Sequence, residues 1–135
     1  MRPVSILGVL AIIPLAFAAE LTGIAPRPSR GLYDVTCFTE SLAVAATLVD
    51  GHRAARLFGP IAGRNYVVVE VGFYSKNRSQ FEVRPGDFAL RVKPSRALIR
   101  PASPEAAFLS RQSLPAAATS RALAGYLFFP ASDET

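Results

Sequence analysis

The sequence predicts an all-β protein, an antiparallel β-sandwich of about six or seven strands with one or two short helical turns in the connections. Apolar and polar residues alternate with a period of two between residues 66 and 92. Turn-forming groups rich in Pro, Gly, Asn and Asp separate the short apolar segments. A last apolar segment, residues 124–129, ends at Pro130. These observations favour short strands joined by turns over a helical or mixed fold.

The N-terminal residues have the order of a secretory signal peptide. Arg2 supplies the positive charge, residues 4–19 are uncharged and almost entirely apolar, and Pro14 precedes a group of small residues. This order predicts cleavage between Ala18 and Ala19. An uncleaved anchor is the alternative, but the apolar segment is shorter than the roughly 20 residues that span a bilayer. We therefore expect a bacterial exported protein, periplasmic or secreted.

The rest of the chain has the length and composition of one domain. The sequence holds 135 residues with a net charge of +5, and its acids lie among its bases without a purely basic run, which is not typical of nucleic-acid binding. We expect a signal peptide at 1–18, a flexible leader at 19–31, a β-sandwich at 32–130 and a disordered tail at 131–135.

The sequence contains one cysteine, Cys37. It cannot form a disulfide within the chain, so the fold must depend on its apolar core. Cys37 lies in an apolar segment, and we expect it to be a small buried residue. A free reactive thiol and an intermolecular bridge are the alternatives.

The first half of the domain predicts two strands and a helix. Residues 32–39 are rich in aromatic and β-branched residues, which is typical of a strand. Residues 42–49 predict a second strand with an apolar face at the even positions, and an alanine-rich helix is the alternative. Asp50 is typical of a helix N-cap, and residues 52–58 predict a short helix that ends at Gly59.

The strongest pattern begins at Tyr66. The alternation predicts three consecutive strands, at residues 66–74, 81–83 and 88–92, and places Glu70 on the solvent-exposed face. Short polar turns join these segments, so their neighbours should be antiparallel and form a meander. The residues expected on the buried face of the first strand are Val67, Val69, Val71 and Phe73.

The C-terminal part predicts one more short strand at 97–100 and a helix that begins at Ser103 and ends near Ser110. Residues 112–120 have the composition of a loop. Residues 124–129 predict a final strand that is apolar on both sides, which favours a central position in a sheet.

Two segments carry a resemblance to a known family. One is Tyr66-Val67-Val68-Val69-Glu70-Val71 leading to Asn77, followed by Asp87-Phe88-Ala89-Leu90, and the other is Ala124-Gly125-Tyr126-Leu127-Phe128-Phe129-Pro130. Together they resemble the telokin-like, immunoglobulin-like domains of bacterial exported proteins and lipoproteins, over about residues 60–130. The resemblance implies an immunoglobulin-like sandwich and supplies no catalytic residues. The lipid-acceptor cysteine of those lipoproteins is absent from this sequence.

The sequence offers little catalytic chemistry. His52 is the one histidine, and we expect it to be exposed rather than to bind a metal. A pair formed by Cys37 and His52 is disfavoured, because an apolar strand raises the cost of a thiolate. Tyr74 and Tyr126 could present rings to a sugar, but we expect neighbouring strands to cover them. The sequence therefore predicts a non-enzymatic protein without a cofactor or metal.

The function that we expect is that of an interaction or structural module of the cell envelope, with an envelope protein as its partner. The alternative is a binding domain for an anionic lipid head group or glycan. That ligand would bind a basic strand edge formed by Arg84, Arg91, Lys93, Arg96 and Arg100. A charged rim that prevents strands from pairing between molecules also accounts for these residues.

Overall fold

A computed structural model describes residues 23–92, 97–102 and 107–131. In this part of the chain the protein is mostly β, with antiparallel sheets and short helices, which confirms the predicted class at that level. The expected signal peptide and its cleavage site at Ala18 and Ala19 lie outside the described residues. So do the predicted helix start at Ser103 and residues 132–135 of the tail.

The main sheet has four antiparallel strands in the order β1–β2–β3–β8. These strands are β1 (Val35–Phe38), β2 (Leu42–Val49), β3 (Tyr66–Ser75) and β8 (Leu123–Pro130). The long β3 lies between β2 and β8, and its valine-rich alternation gives it the β propensity of a central strand.

Four shorter strands form two antiparallel pairs beside this sheet. They are β4 (Phe81–Val83), β5 (Leu90–Val92), β6 (Ala97–Ile99) and β7 (Ala117–Thr119). β4 pairs with β7, and β5 pairs with β6. The predicted meander is therefore wrong in its pairing, because β2 and β8 occupy both edges of β3. β7 is a further difference from the prediction, because it is a strand within residues 112–120, which were predicted to be a loop.

Three helices are described: α1 (Gly51–Phe58), α2 (Pro60–Asn65) and α3 (Ala107–Gln112). Asp50 caps α1 as predicted, with its Oδ1 atom accepting a hydrogen bond of 2.9 Å from the Arg53 amide. Gly59 has φ +99° and ends this helix. The sequence did not predict α2. This helix begins directly after Gly59, because Pro60 suits the first position of a helix. Two 3-10 turns lie at Arg30–Leu32 and Pro85–Asp87.

Both faces of the main sheet carry apolar residues, and different elements cover them. We call the side packed against α1, α2 and residues 23–33 the helix face, and the opposite side the hairpin face. On the helix face the core surrounds Val68 and Phe128. On the hairpin face Phe73 lies 5.9 Å, between ring centroids, from both Phe81 and Phe88. The two layers bury β3 on both sides.

The β2 strand is buried on the side opposite to the one predicted. Its odd-numbered residues, from Ala43 to Val49, are buried on the helix face. The even-numbered residues lie on the hairpin face, where Leu42 and Val44 pack against the core and Leu48 is exposed. The small alanines allow close packing on the helix face, whereas the short strand pairs β4–β7 and β5–β6 on the other face do not extend over the end of β2.

The β8 strand is buried on both faces, as its sequence predicts, but it lies at the end of the sheet rather than in its centre. Its outer edge carries single backbone bridges from Ile24, Ala102 and Ser113. These bridges cover an edge that would otherwise be open to another chain. Gly125 is required there, since a Cβ atom would overlap the Leu114 backbone.

Candidate functional site

The predicted basic edge is spread over the β4–β6 region, and two of its members are engaged within the chain. Arg84 Nη2 lies 3.1 Å from Glu82 Oε1, and this hydrogen bond raises the pKa of Arg84. Arg100 Nη1 lies 3.4 Å from the carbonyl oxygens of Gly86 and Phe88. Arg91 is exposed on β5, whereas Lys93 and Arg96 lie outside the described residues.

The described residues instead contain a buried ion pair that the sequence did not predict. Glu70 is 4% exposed, which corrects its expected position on a solvent-exposed face. Arg27 Nε donates to Glu70 Oε2 at 3.0 Å, and Arg27 Nη2 donates to Glu70 Oε1 at 2.7 Å. This two-point geometry suits a guanidinium and a carboxylate. Hydrogen bonding to Glu70 raises the pKa of Arg27.

Two tyrosines surround the Arg27 side of this pair. The Arg27 guanidinium lies 4.8 Å from the centre of the Tyr33 ring. Tyr74 donates a hydrogen bond of 2.7 Å to the Arg27 carbonyl, and its hydroxyl lies 3.2 Å from that of Tyr33. Gly72 is required beneath them, because a Cβ atom there would lie 2.5 Å from the Tyr33 hydroxyl. Residues 23–31, part of the expected flexible leader, thus lie against the sheet together with Leu32 and Tyr33.

Burial raises the pKa of two tyrosines near the ion pair. Desolvation, together with the Tyr33 hydrogen bond, raises the pKa of Tyr74. Desolvation also raises the pKa of Tyr126, which is buried beside Glu70. Neither ring is exposed, as we predicted for both. The Glu70 carboxylate, held by two hydrogen bonds, and the hydrogen-bonded tyrosine hydroxyls form a polar centre. They do not form a base aligned with a nucleophile.

The structure does not bring Cys37 and His52 together. Cys37 lies opposite Val44 in the sheet, and His52 follows the far end of β2. Val44 and Val49 alone are separated by about 17 Å of extended strand. His52 is exposed, as predicted. Cys37 is also exposed, which corrects the expected burial: it lies on the edge strand, over which the short strand pairs do not extend.

A groove of about 670 Å³ lies along α1 and α2. Gly63 allows the two helices to approach closely, because a Cβ atom there would lie 3.1 Å from the Ala55 nitrogen. Arg56 and Arg64 are both exposed beside it. Asp50 contributes a carboxylate that already caps α1. The full lining is Asp50, Gly51, His52, Ala55, Arg56, Pro60, Gly63 and Arg64.

Exposed apolar side chains lie on the hairpin face of β1 and β2. We call Val35, Cys37, Ala46 and Leu48 the outer patch. Val35 is 60% exposed and lies opposite Ala46, while Leu48 is 61% exposed at the next position of β2 on the same face. The sequence missed this patch because the even positions of residues 42–49 were expected to be buried. The four residues are neighbours on one face of the sheet, and Val35, Cys37 and Leu48 are exposed.

Comparison with models of known protein families finds no match, and neither the curated proteins nor the solved structures provide one. No helix within the described ranges is both long and apolar enough to span a membrane. The same part of the chain contains no group of three or more His, Cys, Asp or Glu side chains that could hold a metal ion.

Proposed function

We propose that the protein is an exported, non-enzymatic interaction module of the bacterial cell envelope, which binds an envelope protein through the outer patch. The exposure of Val35 and Leu48 carries this proposal. Both side chains lie in strands, where the backbone is already fixed, so this chain loses little conformational freedom when a partner covers them. Export rests on the signal-like sequence before Glu20.

The non-enzymatic part of the proposal is supported by how the polar groups are used. Within the described residues, every buried side-chain nitrogen and oxygen atom has a hydrogen-bond partner. Glu70 and Arg27 neutralise each other, and the Tyr74 hydroxyl is bound to a backbone carbonyl. These polar side chains, which could have been reactive, instead hold residues 23–33 against the sheet.

The immunoglobulin-like sandwich remains part of the proposal. Antiparallel pairing and the contact of Phe73 with rings on the β4 and β5 side support a two-layer arrangement. The assignment to the immunoglobulin type rests on the resemblance of residues 60–130.

Binding of an anionic envelope ligand, a lipid head group or glycan, is the second candidate. The basic edge supports it weakly, because Arg84 and Arg100 already contact groups of their own chain. The specific observation in its favour is the groove beside Arg56 and Arg64.

One pair of variants separates the two candidates. Leu48→Lys places a charge in the outer patch, and Leu98→Lys is the matched control, since Leu98 is 54% exposed on β6. Binding of an envelope protein should weaken at least about tenfold in Leu48→Lys, because a buried unpaired charge costs more than about 1.4 kcal/mol. Leu98→Lys should bind as the wild type does.

The measurement is the amount of partner captured from solubilised envelope, with a photo-crosslinking residue at position 48 or at position 98. A covalent adduct at 48 and not at 98 locates the partner on the outer patch. Equal capture by both lysine variants would contradict the proposal. Binding of the wild type to anionic vesicles, reduced by salt, would favour the second candidate.

A further inference from the structure

The outer edge of β1 is open to another strand. Thr39 donates its amide to the Leu42 carbonyl at 2.8 Å, which fixes the alternation of the β1–β2 ladder. In an antiparallel ladder the backbone N–H and C=O groups of every second residue point toward the partner strand. The backbone N–H and C=O groups of Val35 and Cys37 therefore point toward β2, and those of Thr36 and Phe38 point outward, away from the sheet. None of the described residues hydrogen-bonds the outward-facing amides of this pair.

A second copy of β1 fits this edge in one symmetric register. If two β1 strands pair antiparallel about Cys37, Thr36 of each copy exchanges both backbone hydrogen bonds with Phe38 of the other. Cys37 then lies opposite Cys37 of the second copy as a non-hydrogen-bonded pair, with Cα atoms about 4.5 Å apart. That separation is within the range that a disulfide requires.

The charges at the two ends of β1 favour the antiparallel orientation. The acidic Asp34 precedes the strand. At the other end, Arg30 Cζ and Lys76 Nζ lie 5.1 and 5.3 Å from the Phe38 ring centre, and Glu40 leaves that end with a net positive charge. Antiparallel pairing brings the acidic end of each strand to the basic end of the other, whereas parallel pairing would bring like charges together.

The size of the contact decides how such a dimer is held. A strand of four residues is about 13 Å long. Its edge and adjoining side chains fall short of the roughly 800 Å² per partner of a stable interface. Pairing through backbone hydrogen bonds alone should therefore be transient, and a covalent bond at its centre would make it persistent.

From this geometry we propose that two copies of the protein pair antiparallel through β1, forming a continuous eight-stranded sheet that a Cys37–Cys37 disulfide holds together. The two Cys37 thiols lose two protons and two electrons as one S–S bond forms. A low-molecular-weight disulfide accepts these protons and electrons, its own S–S bond breaks, and it leaves as two thiols. The two outer patches then lie side by side on one face. The proposal rests on the proposed function, because it takes the β1–β2 surface as a binding surface.

The first experiment compares the full-length chain, expressed with its own N-terminus and purified, with the Cys37→Ser variant. Both are incubated with oxidised glutathione, and native mass and mobility on a non-reducing gel are measured. The wild type should become a dimer that dithiothreitol returns to monomer, and Cys37→Ser should stay monomeric. A wild type that stays monomeric or forms only a glutathione adduct would overturn the proposal.

The second experiment tests the register, because any exposed thiol can react by collision. In the symmetric register, position 35 lies opposite position 39 of the second copy. Cys37→Ser/Val35→Cys and Cys37→Ser/Thr39→Cys should each dimerise at least about tenfold more slowly than the wild type. Their mixture should form the mixed dimer at the wild-type rate. Equal rates for each variant alone and for the mixture would contradict the proposed pairing.

The two proposals fail separately. Capture of an envelope protein by monomeric Cys37→Ser, with crosslinking at position 48, would support the interaction module even if the dimer did not form. A dimer in the predicted register without any crosslink at position 48 would support strand pairing and remove the envelope partner.

Discussion

The two halves of the main sheet differ in how completely they are covered. β3 and β8 are packed on both faces, and their one buried carboxylate, Glu70, is bound twice by Arg27. β2 is fully buried on the helix face only, β1 is largely exposed, and Val35 and Leu48 extend from the hairpin face into solvent. The same strand chemistry thus produces a complete core in one half and an exposed apolar surface in the other.

This difference separates stability from interaction. In the β3–β8 half a substitution changes packing or leaves a buried group without its partner, so its effect should appear in the free energy of unfolding. In the β1–β2 half a substitution of an exposed side chain should leave that free energy nearly unchanged and alter association instead.

The largest effect should follow from breaking the buried ion pair. Arg27→Met leaves the Glu70 carboxylate buried without its partner, and we expect a loss of about 3 kcal/mol in the free energy of unfolding. The Arg27 side chain is 26% exposed, so water can reach part of the site. The expected loss of stability is therefore near the lower end of the range for removing one partner of a buried ion pair. Urea denaturation, monitored by circular dichroism, measures it.

The control for this prediction is the double variant Arg27→Met/Glu70→Leu. It replaces both charges by apolar groups, and its stability should return most of the way to that of the wild type. A double variant as unstable as Arg27→Met would show that Arg27 acts through its other contacts, such as the bond of Nη1 to the Leu32 carbonyl.

A matched pair of hydroxyl substitutions compares the two halves directly. Val68→Thr introduces a hydroxyl at a site that is 0% exposed, and it should cost about 2 kcal/mol. Val35→Thr makes the same change on β1, and its unfolding midpoint in urea should stay close to that of the wild type. Equal losses in the two variants would contradict the division between a covered and an uncovered half.

The smallest of these effects concerns Tyr74. Tyr74→Phe removes the hydrogen bond to the Arg27 carbonyl and should cost about 1 kcal/mol near neutral pH. The pKa of Tyr74 is raised from its ordinary value of 10.0 in the folded state. The unfolded chain therefore releases this proton first as the pH rises.

The stabilising effect of the Tyr74 hydroxyl is fully present below about pH 10, and it is lost as the pH rises through the higher pKa of the folded state. The difference in stability between Tyr74→Phe and the wild type should narrow above about pH 10. Urea unfolding of both proteins from neutral pH to about pH 11 checks this. A constant difference across that range would show that the phenol proton is not linked to folding.

Much of the secondary structure could be predicted, because alternation and turn residues report the state of the local chain. β2, α1 and β3 begin and end close to the predicted residues. Strand partners could not be predicted in the same way. Alternation shows which side chains share a face, but it does not show which strand lies alongside, and a short turn after β3 wrongly favoured β4 as its neighbour.

The polar centre could be predicted only in part. The apolar Val68, two positions from Glu70 on the same side of β3, was a sign that this side is buried and that the carboxylate needs a cation. The sequence held no sign that the cation would be Arg27, which is 43 residues away in a segment rich in proline. The exposed position of Cys37 likewise depends on where the short strand pairs β4–β7 and β5–β6 end.

The Arg27–Glu70 pair also bears on the order in which the protein folds. It closes a loop of 43 residues, and the carboxylate has a fixed position only after β3 is part of the sheet. Residues 23–33 should therefore join the sheet late, after the folding barrier has been crossed. The ion pair would then control mainly how slowly the native protein unfolds, because an interaction absent from the transition state lowers the unfolding rate and leaves the folding rate almost unchanged.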